Sequence, residues 1–116
     1  MGEKTKHCGQ CNRCVNVFDH HCEWLGNCVG ASNYKWFILQ LIFGFLVVLV
    51  HNMVNITNLR PSVGMSQMVI YFFNALPLLF FTHLLCLHIY LYCTNQTTYE
   101  YLKKEQLKEN EEDEEN

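Results

Sequence analysis

The stretch from His7 to Phe37 decides how this chain is organised: His-Cys-Gly-Gln-Cys-Asn-Arg-Cys-Val-Asn-Val-Phe-Asp-His-His-Cys-Glu-Trp-Leu-Gly-Asn-Cys-Val-Gly-Ala-Ser-Asn-Tyr-Lys-Trp-Phe. It holds five of the seven cysteines and three of the six histidines. The eight candidate ligands fall within 22 residues: His7, Cys8, Cys11, Cys14, His20, His21, Cys22 and Cys28. Thiolate and imidazole are preferred ligands of zinc, so this density predicts a zinc-binding module.

A disulfide framework is the alternative interpretation of the cysteines, and the sequence disfavours it. Five cysteines cannot all pair within one segment, and interleaved histidines have no role in a disulfide framework. The residues before the cluster are polar and contain no secretory signal. We therefore expect the module to lie in the cytosol, where thiols stay reduced and can bind metal.

From spacing alone, two interpretations of the ligand set remain open. Eight ligands could saturate two tetrahedral zinc ions, which would make the module purely structural. Alternatively, Cys22 does not bind zinc and serves as a nucleophile. Asp19, His20 and Cys22 supply a thiol, an imidazole that can accept its proton and a carboxylate that can orient the imidazole.

At this point the residues resemble those of a known family, the DHHC protein S-acyltransferases. The resemblance covers residues 7–37 almost continuously and rests on the order and spacing of about a dozen residues. It is carried by the run Asp19-His20-His21-Cys22 and by the residues around it: His7, Cys8, Cys11, Cys14, Trp24, Asn27, Cys28, Val29, Gly30, Asn33 and Phe37.

The resemblance implies a role for each site residue. One zinc is expected on Cys8, Cys11, His21 and Cys28. Cys22 is expected to carry the acyl group, activated by His20 and Asp19. His7 and Cys14 would supply half of a second zinc site.

The sequence also departs from the family pattern. Members complete the second zinc site with a Cys-x-x-Cys pair some ten residues upstream of the segment, and usually have four or more spans, two of them before the cysteine-rich domain. Glu23 stands where proline is common. We therefore interpret this sequence as the C-terminal half of such an enzyme and expect its acyl-transfer activity to be impaired.

Two long apolar segments follow the module. Residues 36–59 and 61–99 contain no Asp, Glu, Lys or Arg. About 20 helical residues cross a bilayer, so we predict transmembrane helices over residues 35–53 and 68–93. A loop over residues 54–67 would contain Arg60. All other lysines and arginines flank the two segments, so the positive-inside rule predicts that both termini and the module are cytosolic and that the loop is lumenal.

Residues 94–116 are expected to form a cytosolic tail. Thr97 and Glu100 have the spacing of a capping box at a helix N-terminus. The resemblance adds that Thr97, Thr98 and Glu100 form a Thr-Thr-x-Glu motif packed against the cysteine-rich domain. The net charge of −3 comes from the last twelve residues, and the acidic end, residues 111–115, is predicted to be solvated and disordered.

The sequence thus predicts an all-α membrane protein, with two transmembrane helices and an N-terminal cytosolic zinc module over residues 1–34. By resemblance, a Cys22 thioester moves a fatty acyl group from palmitoyl-CoA to cysteines of substrate proteins. Lys6, Arg13 and Lys35 are candidates to contact CoA phosphates, with solvent or lipid headgroups as the alternative.

The expected partners are acyl-CoA, substrate proteins with membrane-proximal cysteines, the lipid bilayer and a second chain of the family, but not nucleic acid. The expected membrane is the endoplasmic reticulum or Golgi. The alternative function is that of a non-catalytic, membrane-anchored zinc module that binds a partner. Acylation of Cys22 distinguishes the two functions.

Overall fold

The computed structural model describes residues 4–57 and 64–115, and it is mostly helical. The fold class predicted from the sequence is confirmed: two candidate membrane helices and an N-terminal cysteine and histidine cluster are present. The chain divides into two compact units. The first combines Met1–Phe37 with Ile89–Asn116, and the second is Ile38–His88.

The N-terminal module is built from two small antiparallel hairpins. Strand β1 (Lys6–Cys8) pairs with β2 (Arg13–Val15), and β3 (His20–Cys22) pairs with β4 (Asn27–Val29). Each strand has three residues, too few for hydrophobic alternation to show in the sequence. Gly26 closes the second hairpin at a φ of 56°, a conformation that glycine adopts without steric cost.

The module has almost no apolar interior. Its most buried side chains are the predicted ligands Cys8 and Cys28, with Val29 and the carboxylate of Asp19. So small a core cannot offset the loss of chain entropy on folding. The ligand cluster therefore takes the place of a hydrophobic core.

Helix α1 (Tyr34–Thr57) begins where Asn33 ties it to the second hairpin. The Asn33 side chain accepts a 2.9 Å hydrogen bond from the Gly30 N–H and donates one of 2.9 Å to the Cys28 carbonyl. The helix continues four residues past its predicted end at residue 53. Asn55 and Thr57 donate hydrogen bonds to carbonyls of the preceding turn, so polar side chains here do not end the helix.

Helix α2 (Met65–Cys93) contains Pro77 and begins three residues before the predicted start at residue 68. The predicted loop over 54–67 is thus shorter than expected, and Arg60 lies outside the described residues. Both apolar segments are long enough to cross a membrane, with mean hydropathies of 2.3 and 1.8, and few of their side chains are buried.

Within the second unit α1 and α2 run antiparallel to each other. A Cβ placed on Gly44 would lie 2.5 Å from the Phe81 ring, which marks a close approach of the two helices. The Tyr71 hydroxyl lies 3.4 Å from the Asn55 carbonyl oxygen, further along the pair. A small residue at a helix contact is typical of packing in membranes.

Helix α3 (Thr98–Glu115) corrects the prediction of a disordered acidic end, because the helix includes the acidic run. The predicted capping box starts it. The Glu100 carboxylate accepts a 2.9 Å bond from the Thr97 N–H, and the Thr97 hydroxyl accepts a 3.2 Å bond from the Glu100 N–H. These bonds satisfy backbone donors that a helix N-terminus leaves unpaired.

Candidate functional site

The four residues predicted to form a complete zinc site lie together. The ligand atoms of Cys8, Cys11, His21 and Cys28 are all within 4.8 Å of one another. The strand register accounts for part of this arrangement. His21 is paired directly across the second hairpin with Cys28, so their side chains leave the same face of the hairpin.

The distances fit a tetrahedral ion. With Zn–S of about 2.3 Å and Zn–N of about 2.0 Å, a tetrahedron separates sulfur from nitrogen by roughly 3.5 Å. The Nδ1 of His21 lies 3.7, 3.3 and 3.7 Å from the Sγ atoms of Cys8, Cys11 and Cys28. The cluster could therefore bind a metal ion, and three thiols with one imidazole are a donor set typical of structural zinc.

The thiols of this cluster differ in acidity. A backbone hydrogen bond from Cys11 is the main cause that lowers the pKa of Cys8 to about 7. Burial is the main cause that raises the pKa of Cys28 to about 12. Metal ligation requires thiolates, so zinc binding would displace protons from this cluster.

The predicted half of a second zinc site forms a separate pair on the first hairpin. His7 and Cys14 are paired across β1 and β2, and the His7 Nδ1 lies 3.8 Å from the Cys14 Sγ. Both residues are exposed. Among the described residues, the first hairpin thus brings together two candidate ligands, whereas the complete cluster has four.

The two faces of β3 separate the candidate metal ligand His21 from the candidate catalytic residues His20 and Cys22. Successive side chains of a strand point to opposite faces, so His20 and Cys22 share one face and His21 points to the other. The His20 ring packs edge-on against Phe37, with ring centroids 5.1 Å apart. Cys22 is buried, which limits access of water to its thiol.

The His20 ring is held by the neighbouring carboxylate. Its Nδ1 lies 2.8 Å from the Asp19 Oδ2. An ionised carboxylate can only accept a hydrogen bond, so Nδ1 carries a proton and Nε2 is the nitrogen suited to exchange a proton with a substrate. This arrangement of carboxylate and imidazole is the one a thiol nucleophile requires.

Asp19 is in turn fixed by the start of α3. The Thr98 hydroxyl and backbone N–H donate to its two carboxylate oxygens at 2.7 and 3.0 Å, and the Tyr99 N–H donates to its backbone carbonyl at 3.0 Å. Burial alone would raise the pKa of Asp19, but the hydrogen bonds from His20 and Thr98 outweigh burial and lower it. The expected contact between the Thr-Thr-x-Glu motif and the module is therefore present.

Another residue of the motif, Glu100, contacts Lys4, which precedes the first hairpin. The Glu100 carboxylate, already bonded to Thr97, also pairs with the Lys4 ammonium at 3.1 Å. These interactions lower the pKa of Glu100, with the backbone of Thr97 as the largest cause. Glu100 thus links the start of α3 to Lys4, two residues before the first hairpin.

The three candidate CoA contacts have different neighbours. The Lys6 ammonium lies 5.4 Å from the centre of the Tyr99 ring, and that of Lys35 lies 5.2 Å from the Trp36 ring. Arg13 hydrogen-bonds the side chain of Asn27. Each cation therefore has a local partner of its own.

Sequence reasoning missed a groove of about 390 Å³ beside the catalytic pair. Its floor includes Asp19, His20 and His21, with Phe18 at one side. Its wall is a stripe of α3 made by Tyr99, Leu102, Lys103 and Gln106. These four residues share one face of the predicted helix, but the sequence does not show that this face lies beside His20.

Comparison with known proteins gives the family. The family model described as DHHC palmitoyltransferase matches residues 2–105. Palmitoyltransferase ZDHHC18 of Rattus norvegicus is 39% identical over 115 residues, which cover 86% of this chain and 29% of that protein. Protein S-acyltransferase 8 of Arabidopsis thaliana is 34% identical over 113 residues, covering 86% of this chain and 28% of that protein.

A shorter match has a higher sequence identity. Palmitoyltransferase ZDHHC17 of Homo sapiens is 60% identical over 40 residues, covering 34% of this chain and 6% of that protein. The chain thus spans under a third of the length of the curated relatives it matches. The family match extends over most of the chain and includes the described ligand cluster and the Asp19–His20 pair. The chain belongs to the DHHC palmitoyltransferase family.

Proposed function

We propose that this chain carries the reaction centre of a protein S-acyltransferase, with Cys22 as the nucleophile. The observation that carries the proposal is the hydrogen-bonded series Thr98, Asp19 and His20, which ends on the strand that bears Cys22. The names of the relatives support protein S-acylation at the level of the family.

The first half of the reaction loads Cys22. His20 Nε2 takes the proton of the Cys22 thiol, and the thiolate attacks the carbonyl carbon of a fatty acyl-CoA. The thioester bond to CoA breaks as the bond to Cys22 forms, and His20 returns the proton to the CoA thiolate. Asp19 stabilises the imidazolium that exists between these two transfers.

The second half moves the acyl group to a substrate protein. His20 takes the proton of a cysteine thiol on the substrate, and that thiolate attacks the carbonyl carbon of the acyl–Cys22 thioester. Cys22 leaves as a thiolate and receives the proton from His20. One thioester replaces another in each half, so the site has mainly to position reactants and move one proton.

The metal-binding cluster supports this chemistry without entering it. When zinc is bound by Cys8, Cys11, His21 and Cys28, it supplies folding free energy and crosslinks the two hairpins. His21 lies between His20 and Cys22 in β3, so fixing it as a ligand fixes the strand that carries the reacting groups.

The location that this function requires is a membrane surface. Two apolar helices and the family indicate a membrane protein. We place the module and both termini in the cytosol, at the endoplasmic reticulum or Golgi, where acyl-CoA and reduced substrate cysteines are both available. Lys6, Arg13 and Lys35 are the proposed contacts to CoA phosphates.

The test is single-turnover labelling of the reconstituted chain with a fatty acyl-CoA analogue, read as label released by hydroxylamine. Weak label is expected on Cys22, in line with the expected impairment. The label should be absent in Cys22→Ser and reduced about 100-fold in His20→Ala, because proton transfer contributes factors of this size. Cys93→Ser is the control, since Cys93 is exposed at the end of α2 and outside the proposed site.

Two results would contradict the proposal. Label that survives Cys22→Ser would remove the nucleophile. A zinc-loaded, folded chain that takes no label on Cys22 would favour the non-catalytic zinc module instead.

A further inference from the structure

The groove beside His20 has a wall that continues well past it. Tyr99, Leu102, Lys103 and Gln106 line the groove at helical spacing. The same spacing carries the stripe on to Glu109, Asn110 and Asp113, which are exposed. We call these seven residues the α3 stripe. One end of it lies at the proposed proton-transfer residue and the other end is acidic.

From this arrangement we infer that the α3 stripe binds the polypeptide of the acyl acceptor and selects a cysteine flanked by basic residues. The apolar part of the groove, with Phe18, Tyr99 and Leu102, would hold the segment next to the cysteine. Glu109 and Asp113 would attract lysines or arginines several residues away. This inference rests on the proposed function, because it names the substrate class of the same site.

The position of the groove favours the acceptor. His20 is exposed over 24% of its side chain and lines the groove, so a thiol held there meets the residue that must take its proton. Gln106 offers an amide that can bond to a peptide backbone.

The charge of α3 favours a basic peptide over the anionic acyl donor. Beyond Gln106 the helix carries Glu109, Glu111, Glu112, Asp113, Glu114 and Glu115, against one lysine, Lys108, which pairs with Glu105 at 3.1 Å. This field attracts cations and repels the phosphates of CoA. Lys103 at the groove stands apart from the acidic run and faces the segment next to the reacting thiol.

The test measures peptide binding directly and does not depend on turnover. The zinc-loaded chain is reconstituted in lipid nanodiscs, and binding of fluorescent peptides is followed by anisotropy. Two peptides share one sequence, with serine in place of the acceptor cysteine, and differ only in flanks of lysine or glutamate. The lysine peptide is expected to bind more tightly, with an affinity that falls as salt is raised.

Charge reversal tests the acidic end of the stripe. Glu109→Lys with Asp113→Lys should weaken the lysine peptide about fivefold or more and strengthen the glutamate peptide, because attraction becomes repulsion. The matched control is Glu111→Lys with Glu112→Lys, which inverts the same charge on the opposite face of the helix. The control should leave the preference for the lysine peptide in place.

A pair of leucines tests the groove itself. Leu102→Ala should weaken both peptides about threefold or more, because apolar area no longer becomes buried. Leu107→Ala removes the same side chain, equally exposed at 52%, from a position off the stripe and should change neither affinity.

The outcomes separate this inference from the proposed function. Equal effects of the two charge reversals, or of the two leucine changes, would overturn the stripe as the binding site. Label on Cys22 is measured in the same preparation. Its absence would overturn the acyl-transfer function, whereas label on Cys22 without any peptide preference would overturn the acceptor site alone.

Discussion

The Thr98 hydroxyl donates a 2.7 Å hydrogen bond to the Asp19 carboxylate across 79 positions of sequence. Asp19 in turn lies 2.8 Å from the imidazole of His20. The start of α3 therefore acts on the orientation of the proposed base, although Thr98 itself need not touch a substrate. Thr98 is a positioning residue in this account.

The first prediction concerns this hydrogen bond. Thr98→Val keeps the shape of the side chain but removes the hydroxyl donor, which costs about 1.5–3 kcal/mol for a bond to a charged group. Labelling of Cys22 should fall about tenfold, because the imidazole is less firmly oriented. The measurement is the initial rate of hydroxylamine-sensitive labelling, together with the unfolding midpoint.

Thr82→Val is the control for Thr98→Val. The Thr82 hydroxyl donates to the Leu78 carbonyl within its own helix, at 2.7 Å. An equal loss of labelling in both variants would show that the Asp19 contact has no special role.

The second prediction concerns metal binding. Cys28→Ala leaves three of the four ligands, and a structural site contributes ~10 kcal/mol or more of apparent binding free energy. We expect the module of Cys28→Ala to lose its zinc and to become sensitive to protease. The wild-type chain should hold one zinc tightly, as measured by elemental analysis after dialysis against a weak chelator.

Cys14→Ala provides the comparison for Cys28→Ala, because Cys14 lies outside the four-ligand cluster. It should retain one zinc and resist protease. Two tightly held zinc ions per wild-type chain, one of them lost in Cys14→Ala, would contradict the single complete site.

The third prediction concerns the packing of the second hairpin. A Cβ on Gly30 would lie 2.6 Å from a methyl of Val15 and 2.9 Å from the carbonyl oxygen of Asn16. Overpacking of this kind costs about 1–3 kcal/mol, because backbone atoms cannot move aside cheaply. Gly30→Ala should therefore lower the unfolding midpoint of the zinc-loaded protein, as followed by circular dichroism.

Gly9→Ala is the matched change, since nothing lies within 4 Å of a Cβ built there. Its unfolding midpoint should stay near that of wild type. If Gly30→Ala is equally harmless, the tight approach of the two hairpins is not a feature of the folded module.

The fourth prediction concerns topology. The described lysines and Arg13 lie before the apolar part of α1 or after α2, so both termini should be cytosolic with only about residues 54–67 lumenal. Protease added to sealed microsomes should remove a tag from either end. Protection of the C-terminal tag, with removal of the N-terminal one, would contradict two spans.

The sequence was a good guide where ligands lie close along the chain. The density of cysteines and histidines predicts a zinc-binding module, and the resemblance to the family implies the four residues that lie together: Cys8, Cys11, His21 and Cys28. Apolar segments predict the two long helices for a similar reason, since membrane-spanning structure needs ~20 apolar residues in series.

The sequence was a poor guide where structure depends on distant contacts. Composition predicts disorder for residues 111–115, yet a capping box and the contact of Thr98 with Asp19 start a helix that continues through them. The groove beside His20 depends on the same helix. The sequence predicts the start of this helix, but not which of its faces lies beside His20.

The central claim is that Cys22 carries the acyl group, and site mapping tests it most directly. The zinc-loaded chain, embedded in lipid, is mixed with palmitoyl-CoA for a single turnover, and each cysteine-containing peptide is analysed by mass spectrometry before and after hydroxylamine. We predict that any hydroxylamine-sensitive acyl group that forms is on the peptide that contains Cys22. An acyl group on Cys86 or Cys93, with Cys22 unmodified, would contradict the account.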